Sequence, residues 1–333
     1  MSELPLIVEA LVRGRTEPAV LATLVAVEGS SYRRPGARLL VRSDGSHLGS
    51  ISGGCLEEDL KEHARRVLQT GRAETIVYDT TAENDLVWGV GLGCQGVVRV
   101  FLERIPAAAP RWAAVLSEAI ANRRTTELLI EHTGTTPRGT ILAQDLPATT
   151  EADAAGVFRE TVQPPPALAV FGAGDDVLPL ARIARLLGWQ VTVLDARGAY
   201  ATAERFPAAN RVVVAPAAEQ AGRVASDDRT FAVVMTHRYR DDLALLRTLL
   251  PTPVRYLGLL GPRKRTARLL AELARDGFDP TPEMLAKLHA PVGLDLGGTT
   301  PETVALAIVA EIQAHLAGRA GGLLRERSGP IHG

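Results

Sequence analysis

The segment Ala167-Leu168-Ala169-Val170-Phe171-Gly172-Ala173-Gly174 constrains the fold more than any other part of the chain. A short apolar strand running straight into Gly-x-Gly, with an amphipathic helix expected over 177–187, has the form of a Rossmann turn. Its glycines permit the tight bend and let backbone approach a phosphate closely. The alternation continues downstream. Residues 190–194 read as the next strand, ending at Asp195, the place where such folds hold the ribose hydroxyls of a dinucleotide. Residues 211–214, 231–235 and 254–260 supply three further apolar strands, which is the rhythm of a doubly wound parallel sheet. Thr300-Pro301-Glu302 then gives an N-cap, a first-turn proline and an early acid for a last helix over 302–316. Val177 stands where the third glycine of G-x-G-x-x-G serves helix–strand packing. The turn is therefore a firmer signal for the fold than for NAD(P), and Asp195 is equally suited to capping the turn that follows it.

With 333 residues the chain exceeds one typical core, so two domains are expected. Gln163-Pro164-Pro165-Pro166 is the clearest linker and divides a domain over 1–162 from a Rossmann-like domain over 167–333. The first is read as a smaller mixed α/β domain. Helices are expected over 4–13, 56–70 and 111–123, and strands over 18–27, 37–42, 74–78, 97–105, 126–132 and 139–144. Residues 145–162 show little periodicity.

A net charge of -1 gives no global electrostatic case for nucleic acid or an anionic membrane. Two cysteines do not make a disulfide framework and fit a reducing compartment. Without a secretory signal or a bilayer-length apolar window, a soluble cytoplasmic protein is expected. G-x-S-x-G, H-E-x-x-H and the Walker A lysine do not occur, so no hydrolytic constellation stands out.

The chemistry-bearing residues of the first half crowd into GSSYRRPGARLLVRSDGSHLGSISGGC, residues 29–55. Arg33 and Arg34 offer guanidinium groups to an anion, and Ser52-Gly53-Gly54 opens a helix with free backbone N–H groups at the positive end of its dipole. Cys55 sits at that same end, where a thiolate is favoured. The plainer alternative is a tight structural turn with a buried cysteine; the arginines upstream favour a binding site. Cys94 lies among glycines in GVGLGCQG. Glu57, Glu58 and Asp59, being consecutive, are read as a solvated helix face. In the second half, His237 and Arg263 follow strands at the sheet edge where open α/β sheets bind ligands. His237 alone is a hydrogen-bonded loop histidine more readily than a metal ligand. Arg263-Lys264-Arg265 opens a helix, as a solvated turn or a phosphate site.

With these motifs in order, the chain resembles the XdhC/CoxI family, the xanthine dehydrogenase accessory proteins. The resemblance rests on GSSYRRPGARLLV, GSISGGCLEEDL, FGAGDDVLPLARIARLLGWQVTVLDAR, THRYRDDLALLRTLL, YLGLLGPRKR and HAPVGLDLGGTTPETVALAIVAEI, and covers nearly the whole length. It implies a protein that binds the molybdenum cofactor in its molybdopterin form, protects it while its terminal sulfur is installed, and aids its insertion into a molybdenum hydroxylase. Implied partners are that apo-enzyme, xanthine dehydrogenase-like, and a cysteine desulfurase; a homodimer is expected. On this reading Arg33, Arg34, Ser52, Gly53, Gly54, Cys55, Cys94, Gly172, Gly174, Asp195, His237 and Arg263 contact the cofactor, and Cys55 is the soft donor nearest the metal. A positively lined pocket shared by the two halves is the corresponding expectation. A nucleotide or NAD(P) at the Rossmann turn is the further possibility, and an NAD(P)-dependent oxidoreductase the alternative function.

Overall fold

The computed structural model describes residues 3–79, 96–146 and 156–328. It divides into two compact units, one ending at Pro164 and the other beginning at Pro165.

The first unit opens with α1 (Glu3–Val12), whose Leu4, Ile7, Val8 and Leu11 face inward. Strand β1 (Ala19–Gly29) follows, then β2 (Arg38–Arg42) and the short β3 (His47–Gly49). Helix α2 (Glu57–Thr70), stopped by a left-handed Gly71, leads to β4 (Glu74–Asp79). Then come β5 (Gly96–Ile105) and α3 (Arg111–Ala121). Strands β6 (Thr126–Glu131), β7 (Gly139–Leu142) and β8 (Val157–Val162) complete the unit. Five strands form an antiparallel sheet in the order β3-β2-β1-β5-β4, and β7-β6-β8 form a second, smaller one. Strand β1 is buried almost throughout because both of its faces are covered. Val20, Ala22 and Leu24 pack toward α2, while Leu21 and Val25 pack with α1, α3 and the small sheet. Such two-sided burial explains why it reads as a continuous apolar run instead of an alternating one.

The antiparallel register decides where the loops go. Gly29 pairs with Gly96, Leu39 with Gly49, and Asp79 with Val97. The loop after β1 and the loop after β3 therefore leave the same edge of the large sheet. Residues 30–37, with Arg33 and Arg34, and residues 50–56, with Cys55, are neighbours for that reason.

In the second unit β9 (Ala167–Phe171) is followed by α4 (Val177–Leu186), β10 (Gln190–Asp195) and β11 (Arg211–Val214). The one-turn α5 (Ala217–Gln220), β12 (Thr230–Val234), α6 (Tyr239–Leu249) and β13 (Tyr256–Leu259) come next. Then α7 (Arg263–Arg275), α8 (Pro282–Ala286), the two-residue β14 (Leu288–His289) and α9 (Pro301–Leu316) end the described fold. The sheet order is β11-β10-β9-β12-β13-β14, all pairs parallel. Renumbered within the unit this is 3-2-1-4-5-6, the doubly wound Rossmann order, with its switch point between β9 and β12. Helices α4 and α9 cover one face, around Leu168, Val170, Val233 and Ile308. Helices α6 and α7 cover the other, around Phe171, Val234, Leu245 and Leu269. No helix among the described residues is long and apolar enough to cross a membrane.

Two sequence expectations are corrected here. The stretch 145–162 contains β8, and the short β3, which was not among the expected strands, follows β2. Strand β8 lacks an apolar run because Arg159, Glu160 and Thr161 occupy its middle, and all its residues but Val162 are half-buried or exposed.

Candidate functional site

Cys55 lies on a loop built around one carboxylate. Glu57 is only 6% exposed and turns back over the preceding residues. Its oxygens accept hydrogen bonds from the backbone N–H groups of Ile51 (2.9 Å), Ser52 (2.9 Å) and Gly54 (2.8 Å). They accept two more from the hydroxyls of Ser50 (2.8 Å) and Ser52 (2.6 Å). Gly53 N–H donates to Ser50 Oγ and Leu56 N–H to Ser52 Oγ, so the loop is closed on itself. Burial alone would raise the Glu57 carboxyl pKa. The donors from Ser52, Ser50 and Ile51 outweigh that and bring it down to about 2.

The expectation that Glu57 belongs to a solvated face is thus corrected: it is the anion in its own helix's nest. The signal was present. An acid three residues beyond Gly54 in a first helical turn reaches back to that glycine's N–H, as the acid of a capping box does. What the loop leaves exposed is Cys55, a free thiol, beside Gly53 and Gly54.

The two arginines of the neighbouring loop separate in role. Arg33 Nη2 pairs with Glu3 Oε1 at 2.5 Å, which ties that loop to α1. Arg34 is exposed and makes no ion pair among the described residues. Tyr32, to which the sequence reading gives no role, reaches from its own loop to the other: the Cε1 edge of its ring sits over Gly53. Cys94 lies outside the described residues.

At the carboxyl edge of the parallel sheet, Gly172 has φ +123°, and any Cβ there would collide with the Met235 carbonyl. The backbone of β9 and the end of β12 approach that closely at the switch point. Asp195, 6% exposed, accepts from Ala173 N–H (2.8 Å), Arg197 N–H (2.9 Å) and the Arg197 guanidinium (2.9 and 2.8 Å). Burial would raise its pKa, but the Arg197 and Ala173 donors hold it below the usual carboxylate range. The carboxylate positioned for a ribose is therefore already engaged, and it caps the glycine turn. The space bounded by Gly172, Asp195, Arg197, Thr236 and Arg238 is about 10 Å³, on the scale of one water.

Gly174 lies two residues on, before the acidic pair Asp175 and Asp176. Arg205 pairs with Asp175 (2.6 Å) and donates to the Ala173 carbonyl (2.9 Å). His237 is a loop histidine with a carboxylate partner: its Nε2 lies 2.7 Å from Asp176 Oδ2, and its φ of +57° is uncommon outside glycine. Of the basic trio that opens α7, Arg265 is spent on buried Asp242 (2.5 Å), which also accepts from Thr236 Oγ1 (2.5 Å). Arg263 and Lys264 remain exposed. Among the described residues no group of three or more His, Cys, Asp or Glu side chains is arranged to hold a metal ion.

Comparison with known proteins gives a consistent picture. Residues 12–79 match the model of the XdhC and CoxI family, and residues 168–312 match that of the XdhC Rossmann domain. The chain is 34% identical over 316 residues to a probable xanthine dehydrogenase subunit from Bacillus subtilis, covering 89% of this chain and 92% of that one. It is 26% identical over 306 residues to the molybdenum cofactor insertion chaperone PaoD of Escherichia coli, covering 92% of this chain and 85% of the relative. Among solved structures, a xanthine dehydrogenase from Bacillus halodurans superimposes with a TM-score of 0.81 at 30% identity over 99% of both chains.

Proposed function

The chain belongs to the XdhC/CoxI family, and from that premise we propose that it is an accessory protein that handles the molybdenum cofactor for a molybdenum hydroxylase. One observation carries the reading: a relative that aligns over 92% of this chain is itself a molybdenum cofactor insertion chaperone. The finer part of the proposal is that the protein binds the molybdopterin form, protects it during sulfuration by a cysteine desulfurase, and releases it to an apo-enzyme of the xanthine dehydrogenase type. A homodimer is part of the same reading.

The residues suit such cargo. The cofactor joins a pterin, a phosphate and a soft dithiolene-bound metal centre. Cys55 presents a soft sulfur donor at a loop edge, and Arg34 offers a charge with no ion-pair partner among the described residues. In the second unit Gly174, His237 and Arg263 line the carboxyl edge of the sheet, where a phosphorylated group would be received. The oxidoreductase alternative is less favoured, because Asp195 is committed to Ala173 and Arg197. A nucleotide at this turn would have to displace those bonds.

The test is incubation of the purified full chain with extracted molybdenum cofactor, followed by ultrafiltration and analysis for molybdenum and pterin. Retention of both by wild type, and loss of retention by a folded Cys55→Ala variant, is the expected result. Retention of neither by wild type refutes the function. Equal retention by Cys55→Ala removes Cys55 from the site.

A further inference from the structure

We infer that the thiol loop recognises its ligand through the planar pyrimidinone ring of a pterin stacked on Tyr32, and not through a phosphate held in the loop's backbone nest. The inference rests on the cofactor-handling reading above and names which part of that cargo this loop takes.

The first ground is what the loop has already used. The N–H groups of Ile51, Ser52 and Gly54 all end on Glu57, and that of Gly53 on Ser50. An incoming phosphate would have to displace a buried carboxylate that holds five donors. The anion function suggested by Ser-Gly-Gly is met from within the chain.

The second ground is the state of Tyr32. It is 65% exposed, yet it is not an unbraced side chain. Its ring lies so close to Gly53 that a Cβ there would stand 2.9 Å from Cε1, 3.4 Å from Cδ1 and 3.5 Å from Cζ. Gly53 also has φ +82°, so the conformation and the close approach both demand glycine. One side of the ring is supported and the rest is open.

The other described tyrosines are engaged. Arg197 covers Tyr200 at 4.0 Å, Arg268 and Arg265 lie over Tyr239 at 5.0 and 5.6 Å, and His289 stacks on Tyr256 at 4.1 Å. Tyr78 donates its hydroxyl to Asp59. No ring or guanidinium covers Tyr32 among the described residues. A braced, uncovered aromatic ring suits the planar pyrimidinone ring of a pterin, since stacking buries one face of each ring and needs no matched donor pattern. Cys55 lies two residues beyond Gly53 and Arg34 two beyond Tyr32, so both loops also carry a group suited to the dithiolene and phosphate that such a ring system bears.

The experiment titrates the full-length protein into neopterin and follows pterin fluorescence, with inorganic phosphate and molybdate as separate competitors. Saturable quenching by wild type is expected. Tyr32→Phe should retain it, while Tyr32→Ala and Gly53→Ala should weaken it by about tenfold, within the range of single stacking contacts; circular dichroism confirms that each variant is folded. Absence of saturable quenching by wild type overturns the inference, as does undiminished binding by Tyr32→Ala or full displacement of the pterin by phosphate. Cofactor retention, measured in parallel, separates the two ideas. Retention by both wild type and Tyr32→Ala refutes the stacking role and leaves the function standing. Tyr32-dependent pterin binding without cofactor retention does the reverse.

Discussion

Glu57→Gln is the sharpest probe of the loop that presents Cys55. The substitution keeps the side chain's length and one carbonyl acceptor, but it removes the charge and turns an NH₂ toward a ring of five donors. The magnitude follows from the pKa. A carboxyl brought from 4.5 to about 2 binds its proton less tightly in the fold than in the unfolded chain. Its stabilising contribution is thus complete above pH ~4.5 and lost as pH falls toward ~2. A fall from 4.5 to about 2, at 1.36 kcal/mol per pH unit, is worth roughly 3 kcal/mol, little screened by solvent because Glu57 is almost fully buried. Part of that energy holds the loop locally, so amide exchange at Ile51, Ser52 and Gly54 in Glu57→Gln should accelerate by about two orders of magnitude at neutral pH. Hydrogen-exchange mass spectrometry over residues 50–56 reads this directly, and the rate of Cys55 alkylation should change in step. Unchanged exchange across the loop, or a wild-type loop equally protected at pH 2 and pH 6 while the fold persists, would refute the carboxylate's role.

Two further outcomes are expected. Asp242→Ala leaves the Arg265 guanidinium and the Thr236 hydroxyl without their carboxylate, and should cost about 3 kcal/mol in urea denaturation, at the low end for a broken buried pair because Arg265 keeps some solvent contact; a loss below about 1 kcal/mol would contradict the hub. His315 has its pKa lowered from 6.5, by burial first and then by the neighbouring His289 and Arg255, with Glu311 opposing. Its neutral form is therefore the one the fold prefers: stability is full above pH ~6.5 and declines as pH falls toward the folded pKa, and His315→Gln should flatten that decline in melts at pH 7.5 and 5.5.

The second unit was the more legible half, for a physical reason. In a parallel sheet covered on both faces, strands become near-continuous apolar runs, and β9 and β12 announce themselves that way. The first unit obscures itself where its strands are short or sit at an edge. Strand β3 has three residues, and β8 carries Arg159, Glu160 and Thr161 across its middle. Glu160 lies on β8 in order to meet Arg38, whose own side chain is 1% exposed, so a residue that looks like loop composition is part of the packing.

The two glycine loops were legible in position, and part of their chemistry was misread. Glycine-rich entries to helices read as open anion nests, which is what loop and helix geometry produce. What sequence periodicity does not reveal is whether the chain supplies the anion itself. Glu57 fills the nest after β3, and Asp195 caps the turn after β9 through Ala173 N–H. Each carboxylate comes from a residue whose position invited another reading, the first as a solvated helix face and the second as a ribose ligand. A glycine loop with an acid within reach is therefore as readily a rigid mount as a binding pocket, and the mount is recognised by asking what it leaves unsatisfied. In the first unit the remainder is a thiol, an uncovered aromatic ring and one arginine without an ion-pair partner among the described residues. The donors that a bare phosphate would have called for in this loop are the ones Glu57 has taken.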